Sequence, residues 1–167
     1  MEQAEVKMSK FHMSNQDNEI LDENRILEII KKGKFITFAL CEDKQPYIIT
    51  LSYGYDKENQ CIYVHCADHG LKYEFIKKNH NACATIIEDH GYVLNDCTQK
   101  YRSLVIWGKL NVIKDLEEKK HGFTVLFQHL EGESEQMSAK MASEKDAFSG
   151  VGMLRFDIEQ IDAKGNI

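Results

Sequence analysis

Lys72 stands in the opening turn of an expected helix, directly after an expected strand, and a cation in that place needs a reason. In residues 61–79, Ile62, Val64 and Cys66 alternate with Cys61, Tyr63 and His65, the period-two pattern of a strand. Asp68 then reads as an N-cap, with Gly70 just inside and Leu71, Phe75 and Ile76 at helical spacing. A helix N-terminus carries about half a positive charge, so a lysine there is mildly unfavourable unless an anion neutralises both. Phosphate is the obvious anion. The plain alternative is a solvated lysine on a short helix, and from this segment alone it takes precedence. A second run, Gln99 to Gly108, places Tyr101, Arg102 and Ser103 at the entrance to a long strand. A guanidinium beside a hydroxyl offers one charge-assisted and one neutral donor to the same phosphate. Together with Lys72 they would make a dianion site; taken alone, Arg102 and Ser103 read as ordinary positions at a strand start.

The histidines and cysteines carry less. His65 and His69 are four apart, which puts them on one face only if both are helical, and the first ends a strand. No third ligand has suitable spacing, so no metal site is expected. At a strand end His65 is placed to polarise a substrate, shuttle a proton or ligate haem iron, or simply to pack with one nitrogen satisfied. Cys66 faces the other side of the strand from His65, so the two make no nucleophile–base pair. Cys97, in a loop, is the most accessible thiol for reaction. His80, His90, His121 and His129 fall in turns or on helices, where solvation is the default.

The elements that must position these residues follow from periodicity. Residues 1–20 are polar and aperiodic, an arm or a strap over the body. Asp22 caps a helix to Lys32, with Ile26, Leu27, Ile29 and Ile30 on one side, Gly33 as its stop, and Lys31, Lys32 and Lys34 suiting its C-terminal dipole. Strands are expected at 34–41 and 46–55, joined by the turn Glu42-Asp43-Lys44-Gln45, and a second turn at 56–60 leads to the strand at 61. A helix over 71–78 is followed by strands at 82–88 and 101–114, and by a helix capped by Asp115 with Phe123, Leu126, Phe127 and Leu130 on its stripe. A polar stretch at 131–149 reads as a short helix or a flexible connection, and 151–161 as the last strand. One domain over 21–163 with a tail at 164–167 results. Six strands interrupted by helices favour a mainly β antiparallel barrel with peripheral helices over a parallel doubly wound sheet. No dinucleotide or phosphate-loop glycine motif is present.

Composition narrows the function. The net charge of −6 among 167 residues argues against a nucleic-acid groove, which needs clustered Lys and Arg. No apolar stretch reaches the ~20 residues that span a bilayer, and the polar N-terminus does not resemble a signal peptide. Cysteines at 41, 61, 66, 83 and 97 are odd in number and lie mostly in or beside expected buried strands, the pattern of reduced, cytoplasmic thiols.

Five segments, Gln45–Tyr55, Ile62–Lys72, Lys77–Cys83, Tyr101–Lys109 and Asp115–Lys119, fall in the order seen in the FMN-binding split-barrel family related to pyridoxamine 5′-phosphate oxidase. The chain resembles its nitroimidazole-reductase-like branch over about residues 20–163. The resemblance implies a six-stranded split β-barrel that forms a homodimer, with FMN at the subunit interface. Carried over by position, Lys72, Tyr101, Arg102 and Ser103 would hold the phosphate; Ile49, Thr50, Leu51 and Ser52 would line the isoalloxazine, largely through backbone groups; Val64 and His65 would lie against its other part. Tyr101 and Trp107 share a strand face, where they border the flavin, an interface or the core. The chain lacks the arginine-rich and C-terminal signatures that hold vitamin B6 substrates. The implied activity is therefore an FMN-dependent reduction of a small organic acceptor, nitroaromatic or quinone-like. Haem binding or handling through His65, or flavin carriage without turnover, are the alternatives within the same fold.

Overall fold

The computed structural model describes residues 15–132 and 150–167. Helix α1 spans Glu23–Lys32 because the Asp22 carboxylate accepts from the backbone N–H groups of Asn24 and Arg25, and it ends where the Gly33 N–H meets the Ile29 carbonyl. Strands β1 (Phe35–Glu42), β2 (Gln45–Asp56) and β3 (Cys61–Ala67) follow as a meander. Helix α2 (Leu71–Lys78), β4 (Asn81–Val93), β5 (Thr98–Ile113), α3 (Leu116–Glu131) and β6 (Val151–Asn166) complete the order. All neighbours pair antiparallel, and the sheet closes as β1-β2-β3-β6-β5-β4. The chain is mainly β, a six-stranded antiparallel barrel with helices at its periphery, as the strand count and alternation predict.

Alternation decides which side chains fill the barrel. Ile36, Phe38 and Leu40 of β1, Ala82, Ala84 and Ile86 of β4, Leu104 and Ile106 of β5, and Leu154 and Phe156 of β6 point inward and are buried. Phe38 and Phe156 meet edge to face at 5.2 Å across the interior. Cys61 and Tyr63, on the outer side of β3, are buried too, because α3 lies over them and forms a second core from Phe123, Val125, Ile113 and Met153. Gly54 permits that approach: a Cβ there would sit 2.5 Å from the Leu126 Cα.

Several expectations change in detail. The N-cap of α2 is Gly70, at φ 107° and without a side-chain hydrogen bond; the Asp68 carboxylate instead pairs with its neighbour His69 at 2.9 Å. Lys34 serves α3 rather than α1, donating to the His129 carbonyl at 2.9 Å. Strand β4 runs on to Val93 and β5 starts at Thr98, so their hairpin projects further than the apolar runs suggest. Strand β6 continues through the segment read as a tail, to Asn166. Residues 15–20 lie against the barrel: Ile20 is buried, its N–H bonds the Ala163 carbonyl at 2.9 Å, and Glu19 bridges Lys164. Residues 1–14 of the arm and 133–149 of the connection lie outside the described residues. Among the described residues no helix is long and apolar enough to cross a membrane.

Candidate functional site

Strand β2 holds β1 along Gln45–Ser52 but holds β3 only along Tyr53–Asp56. Beyond the Tyr53–Val64 pair, β3 bonds β6 alone. The barrel wall therefore splits there, and the backbone of residues 49–52 presents one edge with no ladder partner among the described residues. Such an edge is a row of donors and acceptors for a flat polar ring. Ile49 and Leu51 turn inward and pack on the core, whereas Thr50 points outward with its hydroxyl 2.9 Å from that of Thr37. Ser52 stands opposite Phe35 on the same outer side. Val64 is fully buried and paired with Tyr53 on one side and Leu154 on the other, so it offers a ligand no surface of its own. His65 is exposed at the end of β3, with its ring 6.1 Å from Phe123.

Lys72 stands in the first turn of α2, the helix that follows the end of β3 left unpaired by β2. Its ammonium donates to the His69 carbonyl at 2.8 Å and sits 5.1 Å from the Tyr73 ring centre. Among the described residues it pairs with no carboxylate, which is what an anion site requires of its cation. Cys66, nearby, has its Sγ 3.6 Å from the Tyr73 hydroxyl, and burial pushes its thiol pKa up, away from thiolate chemistry.

Tyr101, Arg102 and Ser103 lie elsewhere, at the start of β5, and they do not act as one group. Arg102 points inward and is buried, its Nε 2.5 Å from a Glu88 oxygen and an Nη 2.8 Å from a Glu28 oxygen. Glu28 also accepts from Lys32 at 2.7 Å, and Lys32 first, then Arg102, hold its carboxyl at about 2. The Arg102 guanidinium is thus engaged in closing the barrel between α1 and β4, and it is not aimed at the split. Tyr101 faces outward, where Lys164 lies 5.8 Å from its ring centre. Ser103 also faces outward, between Ile87 and Lys164, and is buried; its hydroxyl makes no hydrogen bond among the described residues. A buried hydroxyl in that state costs about 1–3 kcal/mol unless a ligand or a neighbour satisfies it.

Ser103 and Ser52 occupy corresponding rows of one outer face, separated by β1 and β4, about 14 Å at the usual strand spacing. The chain holds two separate groups: a cation and a backbone edge, and a buried unpaired hydroxyl on a broad sheet face.

The residues that sequence reasoning missed are the partners that fix helices. His121 meets Asp56 at 2.6 Å; burial opposes ionisation of Asp56, yet hydrogen bonds from Asn59 and His121 outweigh it and hold the carboxyl at about 2. His129 bonds the Gly33 carbonyl at 2.7 Å, and burial lowers its pKa. His129 is half-buried, whereas His121 stays exposed on the side away from Asp56; both fasten α3. Their partners are 65 and 96 residues away in sequence, so no local spacing announces them. No three metal-ligating side chains come together among the described residues.

The profile of a family described as pyridoxamine 5′-phosphate oxidase matches residues 22–165. The chain belongs to that family. Its fold is shared with a candidate 5-nitroimidazole antibiotic resistance protein from Bacteroides thetaiotaomicron (TM-score 0.73, 23% identity, covering 92% of this chain and 95% of that one). It is shared also with an FAD- and haem-binding protein from Mycobacterium smegmatis (TM-score 0.73, 15% identity, 89% and 73%) and with the haem storage protein HutZ from Vibrio cholerae (TM-score 0.60, 14% identity, 85% and 94%). No curated protein matches the chain. At these identities the solved structures establish the split-barrel fold, and the family match establishes a flavin-binding lineage.

Proposed function

We propose that this chain is an FMN-binding flavoprotein that reduces a small organic acceptor of nitroaromatic or quinone-like type, and that it works as a homodimer with FMN at the subunit interface. The observation that carries the reading is Lys72, a cation paired with no carboxylate among the described residues, in the first turn of the helix that follows β3, the strand whose end leaves the edge of residues 49–52 unladdered. Bound FMN would supply the two-electron chemistry. The chain's residues bind and orient: the Lys72 ammonium holds the phosphate, backbone groups of Ile49, Thr50, Leu51 and Ser52 run along the ring, and Val64, buried in the wall, supports the end of β3 without touching the ligand. His65 stands at the open rim, and Ser103 of the second copy gives its hydroxyl to the phosphate. Arg102 acts indirectly, by fixing the start of β5 on which Ser103 sits. Five free thiols and the acidic balance suit a cytoplasmic protein that binds neither nucleic acid nor membrane.

One observation favours a second reading, haem binding or handling through His65. Its ring is exposed, and its nitrogens make no hydrogen bond among the described residues, as an axial ligand requires of at least one. The absorbance spectrum of the purified protein separates the two. A flavin spectrum that persists through gel filtration, bleaches on reduction and returns on adding a nitroaromatic supports the first reading. A Soret band lost in His65→Ala supports the second. Retained flavin without recovery by any acceptor indicates a carrier.

A further inference from the structure

The hairpin between β4 and β5 continues past the barrel, and its geometry is specific. Asp89 pairs with Tyr101, but the next pair is Tyr92 with Gln99, so β4 carries one extra residue. Gly91 absorbs it at φ 91°, and the Asp89 carboxylate fixes the bulge by accepting from the Gly91 N–H at 2.8 Å and from the Gln99 amide. Paired residues share a face, so the bulge returns Tyr92 to the outer side of the sheet, the side of Ile87 and Ser103. Tyr92 is 54% exposed, and Leu94 at the turn is 80% exposed.

These residues extend a surface. Phe35, Ile48 and Ile87, each about two-thirds exposed, lie on the same outer face of β1, β2 and β4. At roughly 200 Å² for a fully exposed side chain of this size, the five residues present about 650 Å² of surface, near the ~800 Å² per partner of a stable interface. On the reading given above, Ser103 of one copy meets the phosphate held by Lys72 of the other, so the face that carries Ser103 turns toward the start of the partner's α2. Gln99, the pair of Tyr92, is four residues before Ser103 on β5, about 13 Å along the strand. Leu71, 56% exposed, is the apolar neighbour of Lys72.

We infer that the β4–β5 hairpin is an intersubunit arm whose Tyr92 and Leu94 pack on the start of α2 around Leu71 in a second copy of this chain, latching the phosphate end of that copy's cleft. The inference rests on the proposed flavin site and adds to it a residue set that holds the cofactor without touching its ring. Within its own chain the Tyr92 hydroxyl bonds Cys97 across the turn, which fixes the ring while leaving it and the Leu94 side chain exposed at the tip.

The test places a benzophenone amino acid at position 92 and, separately, at 94, in chains of one isotopic label mixed with unmodified chains of another. Irradiated dimers should yield a mixed-label crosslink mapping to residues 66–75. Tyr92→Ser with Leu94→Ser should speed FMN dissociation several-fold while the apo fold melts within about 2 °C of the parent. A dimer that keeps FMN but crosslinks only within one chain, or elsewhere on the partner, overturns the arm and leaves the flavin site standing. A protein that is monomeric and retains no flavin overturns both.

Discussion

Replacing Arg102 by alanine should destabilise the apo protein strongly, because the guanidinium is the cation against Glu88. The Arg102 side chain is 6% exposed and that of Glu88 is 13% exposed, with Nε to carboxylate at 2.5 Å. Removing one partner of a buried pair leaves the other charged and desolvated, which costs about 3–5 kcal/mol. Glu88 keeps a little water, so the low end, about 3 kcal/mol, applies. For a chain of this size each kcal/mol shifts the melting temperature by about 2–4 °C, giving a drop of roughly 6–12 °C in calorimetry without any flavin added. Arg102→Met combined with Glu88→Met should recover most of it, since two apolar side chains leave no orphaned charge. The reasoning fails if Arg102→Ala melts within 2 °C of the parent, or if the double substitution is no better than the single one. It also fails if the apo protein is indifferent and only flavin binding suffers, for then the arginine serves the ligand and not the barrel.

Other consequences are narrower. Gly54→Ala drives a methyl to 2.5 Å from the Leu126 backbone, so α3 must lift; a loss of about 3 kcal/mol in denaturant unfolding is expected, and a neutral result would mean α3 is not seated on β2 as described. His129 is held neutral by burial, with its folded pKa below 6.5. The unfolded chain then binds more protons than the folded one between the two values, so stability is full above about pH 6.5 and declines as pH falls below it. His129→Gln should flatten that slope in melts taken from pH 5 to 7, and an unchanged slope would assign it to another group. The carboxyl of Asp56, held at about 2 against an ordinary 3.8, contributes stability present above pH 3.8 and lost as pH falls towards 2. Asp56→Asn should remove that part of the acid transition, which urea titrations at pH 2–5 would show.

The strand count, the helix boundaries and the inward-facing residues were legible because they depend on local periodicity: α2 spans Leu71–Lys78 as its spacing predicts, and Asp22 and Asp115 cap their helices. Lys72 was legible as an electrostatic anomaly. Arg102 was not, because its role is set by Glu28 and Glu88, 74 and 14 residues away, and a strand-start arginine looks the same whether it faces a phosphate or two carboxylates. Alternation put Cys61 and Tyr63 on an outer face but gave no sign that α3 would cover it. The length of the β4–β5 hairpin was hidden for a related reason: its outer strands are polar, and a bulge at Gly91 breaks the period-two pattern by which strands are recognised.

The account stands on Lys72 as the phosphate cation, and the affinities of FMN and riboflavin measured side by side by fluorescence quenching test it most directly. FMN should bind the parent protein at least tenfold more tightly than riboflavin, and Lys72→Glu should abolish that preference while leaving riboflavin affinity within about twofold. Equal affinity for the two flavins in the parent, or an equal loss of both in Lys72→Glu, would contradict it.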